Sequence, residues 1–148
     1  KTHPSELRLI ITGKDDMPVP AHEDIEFRGF VSAEEKFRLM SGARAFVTPS
    51  PNESFSIVTL EAMAQHTPIL ANSASTVLAD HIKDSGAGYV YSDYQSFAHA
   101  LNEFSSNEAM LTNMGDLGRQ YVLSRYQTDK VRQSLIAAVE SCQSCRKS

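Results

Sequence analysis

A chain of 148 residues, 41% of them hydrophobic, is long enough for one ordinary domain with its own core. Its formal net charge of −4 supplies no basic field for a polyphosphate backbone, and no stripe of cations alternates with aromatics, which argues against nucleic acid as a partner. No apolar run approaches the roughly 18 residues of a membrane span, and no charged segment followed by an apolar one marks a secretory leader. The expectation is one cytoplasmic domain over residues 1–148. Because Lys1 rather than Met opens the chain and a strand follows at once, it reads as a piece of a longer polypeptide.

In chain order, Leu7 to Ile11 is a short apolar run ending at Thr12-Gly13, and Ile25 to Val31 is a second run rich in β formers. Both are predicted strands. Residues 13–24 between them carry two prolines and no helical period; Lys14 there is a solvated loop lysine. Ser32-Ala-Glu-Glu35 matches a capping box, with Ser32 accepting from an early helix N–H and Glu35 reaching back. Ala33, Phe37 and Met40 follow at helical spacing as far as Gly42. Ala45 to Thr48 is a third strand, cut off by Pro49 and Pro51. Phe55 to Ala64 is a helical run apolar on most sides, normally packed into a core, with Glu53 and Glu61 at its two ends. Pro68 to Ala71 and Gly88 to Tyr91 are the fourth and fifth strands. Strands alternating with helices predict an α/β fold with a parallel sheet covered on both faces.

Beyond Ser92 the pattern becomes a C-terminal helical tail. Phe97, Leu101 and Phe104 mark one helix, Leu111, Met114, Tyr121 and Val122 a second, and Val131, Leu135, Ile136 and Val139 a third. Cap-like Ser106-Asn107 and Thr128-Asp129 separate them. The Met and Phe stripes are read as core, and the tail either closes over the sheet or reaches back toward a neighbouring domain. Cys142 and Cys145 form a C-x-x-C without the second Cys/His pair of a zinc site or the preceding strand of a redox motif, so they are read as two free thiols near a fraying helix end. His22, His66, His81 and His99 are too dispersed for a metal site and are assigned to polar surface or loop positions.

In an open parallel sheet, ligands bind outside the carboxyl ends of the strands, where a loop leads into a helix N-terminus. Residues 50–56 hold that place. Free backbone N–H groups and the positive end of a helix dipole there suit an anion, most often a phosphate. Small side chains at Ser54 and Ser56 let a ligand approach the backbone. Eight helical residues rise about 12 Å, so Glu53 and Glu61 would span the order of a nucleoside diphosphate with an attached group. Each carboxylate can accept from hydroxyls at one end of such a ligand. The plainer alternative makes Glu53 a first-turn residue, worth about 0.3–1 kcal/mol, and turns Glu61 to solvent or to an arginine such as Arg44.

Pro49-Ser50, Glu53-Ser-Phe-Ser56, Leu60-Glu-Ala-Met-Ala64 and Thr67-Pro-Ile69 together resemble the E-x7-E signature of the glycogen-synthase-like glycosyltransferases, family 4 or group 1. That signature is usually written Pro-Ser, Glu-Gly-Phe-Gly, Leu-Glu-Ala-Met-Ala and Gly-x-Pro-Val. The order of Leu7 to Gly13, Ile25 to Val31, the Ser32 to Ala43 helix and the tail with Met114-Gly115 also resembles that family's C-terminal domain, so the likeness runs over nearly the whole chain. The resemblance implies the Rossmann-like donor domain of a GT-B enzyme, which moves a sugar from a UDP-, GDP- or ADP-linked donor with retention of configuration. It implies no catalytic metal and no separate cofactor. Glu53 would be the catalytic residue beside the donor sugar. Ser54, Phe55, Ser56 and Ile57 would bind sugar hydroxyls or diphosphate through their backbone, and Glu61 the ribose. The leaving diphosphate would be stabilised electrostatically. The implied acceptor is a polysaccharide or a lipid-linked glycan, reached through an N-terminal acceptor domain with peripheral attachment to the inner face of the membrane.

Ser54, Ser56 and His66 replace glycines of the pattern and narrow the space beside the sugar. Ser73 to Asp80 lacks the usual glycine-rich, Pro-Glu-containing segment. The family's basic residues that meet the diphosphate would lie upstream of Lys1, and the acceptor domain is absent, so the chain alone is expected to be inactive. A non-catalytic nucleotide-binding or interaction domain on the same fold is the alternative. Another enzyme on this fold, such as a nucleotide-sugar epimerase, would not especially favour the E-x7-E block.

Overall fold

The computed structural model describes residues 7–14 and 16–145. The elements run β1 (Leu9–Ile11), β2 (Ile25–Phe27), α1 (Ala33–Gly42), β3 (Phe46–Thr48), α2 (Ile57–Ala64), β4 (Ile69–Asn72), α3 (Thr76–Ser85), β5 (Gly88–Tyr91), α4 (Tyr94–Ser106), α5 (Glu108–Arg125) and α6 (Thr128–Cys145). Every strand pair is parallel, with Phe46 opposite Ile69 and Ile69 opposite Gly88. The sheet is in two pieces, β1–β2 and β3–β4–β5; β1 and β3 are not hydrogen-bonded to each other. β2 ends four residues before the predicted Val31. The chain turns there at Gly29, whose φ of 63° is open to glycine at little cost.

Strand β4 divides the interior. Successive strand residues point to opposite faces, and Ile69, Leu70 and Ala71 are all fully buried. Ile69 and Ala71 face a core of Met40, Leu60, Met63, Leu78, Ile82 and Tyr121. Leu70 faces a second core of Ala100, Phe104, Leu111 and Met114. Helices therefore cover both faces, as the alternating pattern predicts. Burying a side chain such as Phe104 or Leu70 contributes about 1.5–3 kcal/mol.

α5 joins the two cores by lying very close to the end of α2. A Cβ on Gly115 would come within 2.2 Å of the His66 carbonyl oxygen, and one on Gly118 within 3.3 Å of the Met63 side chain. From the same helix Arg119 donates to the Ala64 carbonyl, one of the last α2 acceptors left without an intrahelical partner. His66 follows with φ 60°, the left-handed conformation that commonly ends a helix and that glycine adopts most readily.

Ser32 caps α1 by accepting from the Glu35 amide, but the return half of the predicted box is missing because Arg28 and Arg38 take the Glu35 carboxylate. Asn107 caps α5 as the sequence suggests. α3 has no counterpart in the sequence reading, where residues 73–87 carry no assigned element. The core reading of the Met and Phe stripes holds for Phe104 of α4 and Met114 of α5, with Leu111 buried beside them. On α6, which packs beside α5, Val131, Leu135, Ile136 and Val139 are 41 to 62% exposed. Cys142 and Cys145 fall on the last turn of α6, and their side chains lie outside the described residues. No helix among the described residues is long and apolar enough to cross a membrane.

Replacing Gly115 by alanine is expected to force α5 away from the His66 backbone and to cost about 1–3 kcal/mol, the usual range for overpacking. Urea denaturation of the G115A variant against wild type measures this as a lower midpoint at unchanged slope.

Candidate functional site

The loops after β3 and β4 meet beyond the carboxyl ends of those strands. Asn72, the last residue of β4, donates through its side-chain amide to the Pro49 carbonyl at 3.1 Å and accepts from the Ala74 amide at 3.0 Å. The two loops are thereby tied together. Between them lies a cleft of about 290 Å³, lined by Pro51 to Ser54 on one side and Ala74 to Thr76 on the other. Glu53 is half-buried in this cleft, and its carboxylate makes no hydrogen bond or ion pair with any described residue.

Glu53 is not helical. α2 begins only at Ile57, because Ser56 has φ 58° and ψ 65° and cannot continue a right-handed helix backwards. The first-turn role for Glu53 and the eight-residue helical rise to Glu61 are both overturned. Ser56 is also unusual as a cap. Its hydroxyl lies inward, 2.9 Å from the buried Thr59 hydroxyl, and makes no cap bond to the helix. Side chains of Ser32, Ser75, Asp93 and Asn107 cap α1, α3, α4 and α5. At α2, the Ile57 and Val58 amides find no acceptor among the described residues, and Ile57 is 65% exposed.

Glu61 lies one turn from the end of α2. Lys36 of α1 donates to both of its carboxylate oxygens, at 2.8 and 2.7 Å. The suggested partner Arg44 is elsewhere, bonded to the Phe104 carbonyl and paired with Glu108. Both members of the Lys36–Glu61 pair are about a quarter to a third exposed, so the pair contributes of the order of 1 kcal/mol or less. Glu61 lines a second concavity, a largely apolar groove of about 670 Å³ with Phe55, Ile57, Leu60, Tyr126 and Leu135. The cleft of Glu53 and the groove of Glu61 share no lining residue. The turn of Ser54 to Ile57 stands between them, with Ser54 on the cleft and Phe55 and Ile57 on the groove. Lys14, by contrast, is an exposed loop lysine paired with Asp16.

Behind Phe55 sits an aromatic and imidazole cluster that the sequence reading missed. His81, assigned to the surface, is only 7% exposed on the inner face of α3. A carbonyl can only accept, so His81 Nε2 carries a proton and donates to the Phe55 carbonyl at 3.0 Å. Nδ1 lies 3.0 Å from the Tyr121 hydroxyl. The Phe55 ring meets His81 and Tyr126 edge to face, with centroids 5.8 and 5.6 Å away. Burial first, and the hydrogen bond with Tyr126 second, push the Tyr121 phenol up to about 12. His66 is exposed and bonded to Asp116, and His22 contacts Asp24 in a loop. Among the described residues no three His, Cys, Asp or Glu side chains gather in a way that would hold a metal ion.

The family model described as "Glycosyl transferases group 1" matches residues 19–121. The alpha-1,3/1,6-mannosyltransferase ALG2 of Candida albicans is 29% identical over 141 residues, covering 88% of this chain and 32% of that protein. The D-inositol 3-phosphate glycosyltransferase of Streptomyces avermitilis is 33% identical over 93 residues, covering 62% of this chain and 20% of that protein. The chain thus spans a third or less of the length of these curated relatives. Among solved structures, Anabaena Alr3699/HepE in complex with UDP superposes with a TM-score of 0.78 at 16% identity, over 93% of this chain and 42% of that one. The same protein with UDP and glucose gives 0.70 at 18% identity, over 80% and 32%. These superpositions establish the α/β fold of the GT-B type.

An unfolded tyrosine titrates near its ordinary 10, whereas folded Tyr121 stays neutral up to about 12. Its contribution to stability is therefore complete below pH 10 and is lost as pH rises toward 12. Tyr121→Phe is expected to flatten this alkaline loss, read from urea midpoints taken between pH 8 and pH 11.5.

Proposed function

We propose that this chain, which belongs to the glycosyl transferases group 1 family and corresponds to its C-terminal domain, is the donor-binding part of a retaining enzyme that moves a sugar from a nucleotide-sugar to a glycan acceptor. The observation that carries the proposal is the arrangement around the start of α2. Two amides without protein acceptors stand at the positive end of a helix, with the unpaired Glu53 in the cleft on one side and Glu61 in the groove on the other. A diphosphate over the Ile57 and Val58 amides would be stabilised as charge develops on it during departure of the sugar. Its sugar would lie in the cleft of Glu53, within reach of Ser54. Its ribose would lie in the groove, with hydroxyls donating to Glu61.

Lys36 changes the chemistry expected at Glu61. By donating to both oxygens it fixes the carboxylate in place while leaving lone pairs for vicinal hydroxyls. The glycine-to-serine exchange at Ser56 leaves the backbone in the conformation a glycine would adopt and turns the hydroxyl inward, so it does not fill the ligand's space. This supports a working site rather than a degenerate one. The acceptor, the donor base and a position at the inner face of a membrane belong to the intact protein; the matched stretch covers 32% and 20% of the two curated relatives.

In the intact protein, Glu53→Ala is expected to lower transfer by about 100-fold with donor binding retained, the size of effect seen when a group aimed at transition-state charge is removed. Glu61→Ala is expected mainly to raise the donor KM. Titration with UDP, GDP and ADP identifies the base. Nucleoside diphosphate binding without transfer to any acceptor would establish the non-catalytic alternative, and full activity in both variants would sink the site assignment.

A further inference from the structure

Ser56 has φ 58°, a conformation that costs a non-glycine residue free energy, and the whole presentation of the Ile57 and Val58 amides depends on it. The Ser56 hydroxyl against Thr59 restrains it from the helix side, and a second restraint comes from the other side of the turn. The residue before it, Phe55, is 44% exposed, with one edge of its ring against His81 and Tyr126, and its carbonyl is gripped from α3 by His81 Nε2 at 3.0 Å. His81 is itself fixed on its other nitrogen by the Tyr121 hydroxyl of α5. Edge contacts to Phe55 and Tyr126 lock the ring plane, with centroids 5.8 and 6.4 Å away. Arg125 stacks on Tyr121 and pairs with Asp84 of α3, closing the cluster from the solvent side. A chain of contacts from α5 through α3 thus ends on one backbone carbonyl of the proposed donor turn.

We propose that His81 is the positioning residue of the donor site, holding the Phe55 carbonyl so that the left-handed Ser56 turns the first amides of α2 outward to a nucleoside diphosphate. Tyr121 supports it by occupying Nδ1, which leaves the Nε2 proton for Phe55. This rests on the donor-site reading above and adds to it a group that touches no ligand. An edge-on imidazole inside an aromatic cluster is ordinarily just packing, but packing alone does not require the bond to a loop carbonyl. The distinction is testable, because glutamine can place an N–H donor near the Nε2 position while phenylalanine keeps the ring and loses the donor.

The experiment compares wild type, His81→Phe and His81→Gln in the intact protein by two readouts. The first is the amide resonances of Ser56 to Val58 without ligand, and the second is titration with UDP, GDP and ADP. In His81→Phe the Ser56 to Val58 resonances are expected to move or broaden and diphosphate affinity to fall about ten-fold, the scale on which misplaced binding groups act. His81→Gln is expected to restore both in large part, with resonances far from the turn unchanged in either variant. Unperturbed Ser56 to Val58 resonances in a folded His81→Phe would overturn the proposal, as would a His81→Gln no better than His81→Phe. A wild type that binds none of the three nucleotides would instead bring down the donor-site reading and this proposal's ligand with it, even if the resonances show that His81 holds the turn.

Discussion

Burial of β4 on both faces is the constraint from which the remaining geometry follows. With Ile69 and Ala71 committed to one core and Leu70 to the other, a one-residue slip would exchange large and small side chains between two close-packed interiors. Its neighbours β3 and β5 inherit that register. The loops leaving the carboxyl ends of β3 and β4 then have to emerge together, and Asn72 needs only two hydrogen bonds to tie them into one rim. The cleft holding Glu53 is a consequence of strand register more than of any local loop preference.

The same economy explains how α2 can begin with free amides. A helix start whose N–H groups are not satisfied by protein is normally a liability that side-chain caps remove, and four other helices here are capped in that way. At α2 the capping hydroxyl has been withdrawn into the interior against Thr59. The far end is treated oppositely: Arg119 satisfies the Ala64 carbonyl, and glycines on α5 let its backbone press against the residue that follows. α2 is therefore anchored at its C-terminal end and available at its N-terminal end.

How much of this was legible in the sequence depended on the range of the interaction. Strand Gly88–Tyr91 and the caps at Ser32 and Asn107 were readable because each signal lies within a few residues. α3 was not, although Leu78, His81, Ile82 and Ser85 share a buried face at helical spacing. Small and polar residues around Ser73 to Thr76 masked its start. Of the site, the residue types and their loop were readable, and the helix start was not, since a left-handed serine leaves no compositional trace. Lys36 on Glu61 and His81 on Phe55 are contacts across 25 and 26 residues, and no periodicity connects such positions. The tail shows the limit of periodicity: the stripe of Val131, Leu135, Ile136 and Val139 is real, but amphipathic period says that a face wants cover, not that it has it.

The separation of the β1–β2 ladder from β3–β4–β5 bears on how the chain behaves in solution. Among the described residues, β1 and β3 are each hydrogen-bonded to another strand along one side only, and on β1 Leu9 and Ile10 are 46 and 38% exposed. Parallel strands of this kind are ordinarily buried on both faces and flanked on both sides. An open edge with apolar side chains is a template for intermolecular strand addition, unguarded here by proline or by an inward-pointing charge within Leu9–Ile11. Strand addition along that edge would rise with concentration, and either a further strand of the same protein or a charged side chain placed within Leu9–Ile11 would oppose it.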